Sequence, residues 1–473
     1  MAFNGKDLET RLFINNEFVD SKHTNRLTLR NPVDDSIVTE SVHLAGEKDV
    51  DYAVEVATEA FRTGPWSKFT GAQRAKCMLK FADLAEANAV RLAEIESIAT
   101  GRPKALIQYF DVAHMVEVFR CELKVPLKDY AGWADKIEGE SFIDEDGLYR
   151  IVQYEPLGFV FKTSEKAPLG ALALAPLFAE AGFPPGVVNI LSGAAETGSL
   201  LASHMKIAKI SFTGSAFVGR LVQVAATKSN LKRVTLELGG KSPAIVFPDA
   251  PMDIALQSVG GGFLVNSGQI CIAGSRVFVH ADIADKFIAG LKDIFEKASQ
   301  VLGANPMEMT TSLGPVVDKK QFDRIMGMIE DGKKTAKVVT GGSRKGDKGC
   351  FIEPTIFSEP ANDSAILREE IFGPVLVVKT FKTEEEVVDL ANDTTYGLSA
   401  TLYTTDIARA LRIARKLEAG AVGINTPHMP NVNTPFGGKK QSGNGGRELG
   451  KHGLQSYLEA KTIHINMNLP SRL

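Results

Sequence analysis

Short apolar runs alternate with longer amphipathic ones through most of this chain. VVNIL precedes AKISFTG, a helical stretch starts at Ser215, and VTLEL and AIVF follow. Further on, RVFVH leads into IADKFIAGLKDIFEKASQVL, where Phe287, Leu291 and Phe295 share one stripe. KQFDRIMGMIEDGKK is another helix, and VLVVKTF, SATLYTT and AVGIN are apolar enough to be buried strands. Strands joined through helices must run parallel, and parallel strands buried on both faces need helices over them. The alternation therefore predicts an α/β chain with parallel sheets in both halves. Nearer the N-terminus, Val50, Ala53, Val54 and Ala57 fall on one helical face, a second helical run covers 72–98, and 148–160 alternates like a β-ribbon. A length of 473 residues suits two such domains, and Gly239-Gly240 is a natural hinge between them.

Composition narrows the function by exclusion. Net charge is −3, which provides no basic surface for nucleic acid or anionic lipid. No apolar run reaches the length of a membrane span, and MAFNGKDLETRLF does not read as a signal peptide. Cys77, Cys121, Cys271 and Cys350 lie far apart with no CxxC, so no metal site is expected and a reducing, cytoplasmic setting is. The tail Ser471-Arg472-Leu473 is one conservative step from the Ser-Lys-Leu address and leaves a peroxisomal location open.

No Walker loop, GxSxG elbow, HExxH or GxGxxG fingerprint is present. What remains is NSGQICIAGSR, where Cys271 sits among small and polar residues with glycines on either side. Such a cysteine is either a thiolate nucleophile or an ordinary half-buried thiol. In VTLELGGK, Glu237 ends an apolar strand beside a Gly-Gly turn, where it is either a general base or a solvated edge residue. Phe212-Thr213-Gly214-Ser215 joins a strand to a helix whose first amides suit a pyrophosphate, although such junctions are common. EPLGFVFKTSEKAPLGALAL, at 155–174, is a strand, a polar turn and a helix.

Taken in order, FTGS, LELGGK, NxGQxC, LREEIFGPVL and PFGGKKQSG resemble the NAD(P)-dependent aldehyde dehydrogenase superfamily, its soluble branch in particular, from about Phe13 to about Ile465. The resemblance implies a Rossmann-like cofactor domain over 1–135 and 157–238, a catalytic domain over 239–448, and oligomerisation elements at 136–156 and 449–473. It implies Cys271 as the nucleophile that forms a thiohemiacetal and, after hydride transfer to a nicotinamide, a thioester. Glu237 would then activate the hydrolytic water. Lys162, Ser164 and Glu165 match the adenosine-ribose turn; Gly214 and Ser215 match the pyrophosphate site, with Val218 and Leu238 beside them. Glu370 and Phe372 match the residues around the nicotinamide ribose and ring. A glutamate facing the 2′-hydroxyl favours NAD over NADP. A homodimer or homotetramer acting on a small aldehyde is implied, with no metal.

The chain departs from that family after Gly158. Relatives there carry a strand, a Pro-Trp-Asn loop and a helix, roughly thirty residues or one βα unit, before the ribose turn. The missing asparagine is the family's side-chain donor to the oxyanion, a loss worth on the order of 10²–10³ in rate. The missing strand is central to the cofactor sheet, so unpaired backbone groups, an uncovered apolar face and a weakened fold are expected. CELKVPLKD (121–129) is an insertion in which Pro126 would break a helix. FGGKKQSGNGGREL carries Lys439 where an aromatic is usual, and an additional glycine. Together these irregularities fit misplaced exon boundaries, an origin that a transcript running continuously through Gly158–Phe159 would refute. Three activities follow: NAD-linked aldehyde oxidation, impaired in this form; nucleotide-free thiol ester hydrolysis; or an inactive paralogue assembling with intact subunits.

Overall fold

The structure is a computed structural model describing residues 8–120, 134, 136–143, 146–156, 160–427 and 429–468. The insertion at 121–129, Gly158–Phe159 and the tail 471–473 lie outside the described residues. In chain order the first strands are β1 (Leu12–Ile14), β2 (Glu17–Val19), β3 (Arg26–Arg30) and β4 (Ile37–His43). Next come β5 (Glu140–Ile143), β6 (Leu148–Pro156), β7 (Phe161–Lys162), β8 (Ile190–Leu191), β9 (Lys209–Gly214) and β10 (Arg233–Leu238). The remainder are β11 (Pro243–Val246), β12 (Arg276–His280), β13 (Lys337–Thr340), β14 (Thr355–Ser358), β15 (Val375–Phe381), β16 (Ser399–Tyr403), β17 (Ala421–Ile424) and β18 (Leu458–Asn466).

The C-terminal half forms one seven-stranded sheet in the order β13-β14-β15-β12-β11-β16-β17, parallel except for β13 against β14. Its central strands are rich in apolar residues because both faces are covered. Ala244, Val246, Val277, Val279, Leu376 and Val378 meet Phe287, Leu291 and Phe295 of the helix Ala284–Val301 on one side. Ile245, Phe278 and Leu402 meet Val387 and Ile413 of the helices Glu384–Asn392 and Ile407–Lys416 on the other. Burying each large side chain contributes about 1.5–3 kcal/mol, so this double-sided core dominates the half's stability.

The N-terminal half is assembled differently. One sheet runs β2-β1-β8-β7, with β1 antiparallel to both neighbours and only β7 and β8 parallel. A separate parallel pair, β9 and β10, is in register from Lys209↔Arg233 to Gly214↔Leu238. The expected Rossmann-like sheet is thus divided, with β7 and β9 each at a margin. β3 and β4 form a hairpin, and β18-β6-β5 an antiparallel ribbon whose β18 is exposed from Glu459 onward.

The helical run over 72–98 is also two helices, Gly71–Ala87 and Ala89–Thr100. Asn88 separates them: its side-chain Nδ2 donates to the Leu84 carbonyl at 2.8 Å, the competition with the backbone that makes asparagine a poor helix-interior residue. Among the described residues no helix is long and apolar enough to cross a membrane.

Candidate active site

Glu237 is the penultimate residue of β10, and the chain turns through Gly239 and Gly240 into β11. It is only 5% exposed, and neither carboxylate oxygen has a hydrogen-bond partner. The loop between Phe436 and Glu448 closes over it: Gly443 bridges Glu237, and the Ser442 hydroxyl donates to the Gly239 carbonyl at 2.6 Å. The solvated-edge alternative for Glu237 is therefore wrong. Burial, with the nearby charge of Glu448, pushes its carboxyl up to about 8, against the opposing charge of Arg447. A carboxyl so placed holds its proton through neutral pH and is ionised only above about 8.

Cys271 follows the short turn Val265–Gly268 and precedes β12. It is half-buried, and a side chain on Gly240 would collide with the Cys271 carbonyl, so only glycine lets the β10–β11 crossover lie against this loop. Burial, then the charges of Glu370 and Glu237, push the thiol up to about 11, with the Ile272 amide opposing. Glu370 reaches the same crossover: its Oε1 accepts from the Gly240 N–H at 3.0 Å. Burial raises its carboxyl too, while that N–H, Lys241 and Arg324 hold it back. Phe372, two residues on, is left-handed at φ 55° and partly exposed. The Gly239-Gly240 crossover thus gathers Cys271, Glu237 and Glu370 around one point.

The ribose-turn residues sit on the other sheet fragment. Lys162 ends β7, its Nζ donating to the Thr163 carbonyl at 2.8 Å and lying 3.9 Å from the Glu165 carboxylate. Burial lowers the Lys162 ammonium and Glu165 opposes that. Ser164 Oγ accepts from the Lys166 N–H at 3.2 Å. Gly214 ends β9 and Ser215 caps the helix Ala216–Ser229, its hydroxyl accepting from the Val218 N–H at 3.3 Å. Leu238 is buried against Gly219 of that helix. A basic and an acidic side chain on one turn suit a ribose diol, and a capped helix start suits a pyrophosphate, so the residues present fit the adenosine half of a dinucleotide. Among the described residues no cluster suits a metal ion.

Sequence reading missed three contributors. Lys241 is 1% exposed with an unpartnered Nζ, and burial and then Arg276 bring it down to about 7, against Glu370. Its only signal is a lysine between a Gly-Gly turn and an apolar strand. Glu448 acts on Glu237 from a distant loop and has no local signal. Arg102 bonds Asn266 from the other half of the chain, which no local pattern shows.

The sequence pattern of the aldehyde dehydrogenase family matches residues 18–161 and 159–463, two pieces that meet beside Gly158. An aldehyde dehydrogenase of Alternaria alternata is 43% identical over 488 residues, covering 97% of this chain and 95% of the relative. Aldehyde dehydrogenase, cytosolic 1, of Mus musculus is 40% identical over 98% of this chain and 96% of its own. Both alignments are longer than the chain itself, so the relatives carry residues that it lacks. Among solved structures, the NAD+ complex of an aldehyde dehydrogenase from Bacillus cereus superposes with a TM-score of 0.91 at 38% identity, over 97% of this chain and 96% of that one. Gamma-glutamyl-gamma-aminobutyraldehyde dehydrogenase from Burkholderia cenocepacia gives 0.92 at 37% identity, over 98% and 97%. With such coverage at both levels, and the Cys271–Glu237–Glu370 constellation in place, the chain belongs to the aldehyde dehydrogenase family.

Proposed function

We propose that this chain oxidises an aldehyde to a carboxylic acid with NAD through a thioester on Cys271, at a rate lowered by the divided cofactor side. The observation that carries the reading is Glu237: buried, without a hydrogen-bond partner, and electrostatically coupled to the half-buried Cys271. Proton transfer from the Cys271 thiol to a base gives the thiolate, which adds to the aldehyde carbon as a thiohemiacetal. The Cys271 backbone amide is the oxyanion donor that remains. NAD, when bound, supplies the two-electron acceptor. In its ionised form, Glu237 takes a proton from water so that it attacks the thioester, expelling the thiolate and releasing the acid.

Lys162 and Glu165 would hold the adenosine ribose, the capped start of Ala216–Ser229 the pyrophosphate, and Glu370 the second ribose. Glu165 would face a 2′-phosphate with like charge, which favours NAD over NADP. The exposed ribbon β18-β6-β5 supports assembly as a homodimer or homotetramer. A cytoplasmic setting fits the scattered free thiols of Cys77, Cys271 and Cys350.

Glu237→Gln provides the test. With NAD and propionaldehyde, this variant should accumulate a propionyl group on the peptide containing Cys271, visible by mass spectrometry. An adduct on Cys77 or Cys350, or none, would overturn the reading. The second reading, ester hydrolysis without nucleotide, is favoured by one feature: Cys271 and Glu237 both lie at the Gly239-Gly240 crossover, apart from the β7 turn that carries Lys162 and Glu165.

A further inference from the structure

The backbone just before the nucleophile is held in an unfavourable conformation. Asn266, Ser267 and Gly268 are all left-handed, at φ 53°, 54° and 69°. For residues bearing a Cβ this conformation is strained, so other contacts must impose it. Some come from the catalytic half: Ser267 Oγ donates to the Gly314 carbonyl at 2.6 Å, and the Val317 N–H donates to Gln269 Oε1 at 3.0 Å. Asn266 closes the turn on itself, its Nδ2 donating to the Gln269 carbonyl at 3.0 Å. That bond requires the Asn266 amide to face one way, and the group that sets it comes from the other half. Arg102 Nε donates to Asn266 Oδ1 at 2.9 Å. Arg102 is fixed in turn by Asp111, 2.7 Å from its guanidinium, and by Ser97, whose Oγ donates to the Arg102 carbonyl at 2.6 Å. Asp111 lies in the π-helical turn Ile107–Val112, a rare geometry found frequently at functional sites.

We propose that Arg102 is a positioning residue for the nucleophile: held by Asp111, it orients the Asn266 amide, locks the left-handed turn and so aims the Cys271 thiol. This rests on Cys271 being the nucleophile. Arg102 acts through Asn266, so its loss should act on the chemical step and leave ester binding alone.

The test is hydrolysis of p-nitrophenyl acetate by the full chain, which needs no nucleotide. Arg102→Met should lower kcat by about tenfold to a hundredfold, the scale of a small misplacement, with KM changed by less than about twofold. Asn266→Ala should give a similar loss, and the double variant should lose no more than either single one, because both break the same link. Arg102→Lys, which keeps the charge but not the Nε fork, should recover only part. Should Arg102→Met fail to fold, Asp111→Asn, which loosens the guanidinium in place, replaces it in the cycle. An Arg102→Met enzyme with unchanged kcat, or single losses that multiply in the double variant, would overturn the proposal. Unchanged hydrolysis in Cys271→Ala would instead refute the nucleophile reading.

Discussion

β11 pairs residue for residue with β12 on one side and β16 on the other, whereas β9 pairs only with β10 and β7 only with β8 among the described residues. Both regions arise from the same strand–helix alternation, yet one is a continuous seven-stranded ladder and the other two fragments. Position within the ladder makes the difference. Strands β11 and β12 each have neighbours that share their backbone bonds and helices on both faces. β9 has a neighbour on one side only, and Ser211, Thr213 and Gly214 along it are exposed. Local structure survives in both regions because each strand and helix is specified by its own residues; the ladder that would couple β7 to β9 is absent among the described residues.

The contrast divides the chemistry as well. Cys271, Glu237 and Glu370 converge at the crossover from β10 to β11, while Lys162 and Glu165 lie at the end of β7 in the other sheet fragment. Cys271→Ala should abolish ester hydrolysis and aldehyde oxidation together, by at least about 10³-fold. Residual ester turnover at the wild-type rate would place the nucleophile elsewhere. In hydrogen exchange, amides of Ile245 and Val277 should exchange at least about 10²-fold more slowly than those of Ile210 and Phe212. Equal protection would mean that the two regions unfold as one unit. Lys162→Ala should weaken NAD binding by about tenfold, the scale of one charge-assisted hydrogen bond, and leave ester hydrolysis unchanged. A parallel drop in both would show that the ribose turn and the thiol site are not separable.

The smallest effect is on stability against pH. Glu237 keeps its proton to about pH 8 in the fold, above its ordinary value of 4.5. The folded state therefore binds that proton more tightly than the unfolded chain. The resulting stability is complete below the ordinary value and is lost as pH rises through about 8. Lys241, depressed by burial, works in the opposite direction, so comparison with a variant isolates Glu237. Glu237→Gln should melt higher than the parent at about pH 9 and nearly with it at about pH 5. A constant offset at both would mean that Glu237 is not held neutral by the fold.

Much of this is legible in the residues. Every strand of the catalytic sheet from β11 to β17 except β13 and β14 is marked by an apolar run, because burial on both faces leaves little room for polar positions. Phe287, Leu291 and Phe295 announce their helix by spacing alone. The division of the 72–98 run at Asn88 is not legible, since a helical period continues across the break and only a side-chain bond interrupts it. Glu237 reads as solvated on local grounds because its cover, Gly443 and Glu448, comes from a loop far along the chain. The Leu236 N–H beside it likewise donates to Asn444 Oδ1, 208 positions on. Arg102 escapes for the same reason: its partner Asn266 lies 164 residues on.

On the function proposed above, a complete thiol site still serves an NAD-linked oxidation across a divided cofactor side. Incubating the full chain with NAD and propionaldehyde, and following NADH and propionate together, tests this most directly. NADH and propionate formed in equal amounts, slowly, and not at all in Cys271→Ala, is the predicted result. Ester hydrolysis at Cys271 with no NADH at any NAD concentration would contradict it.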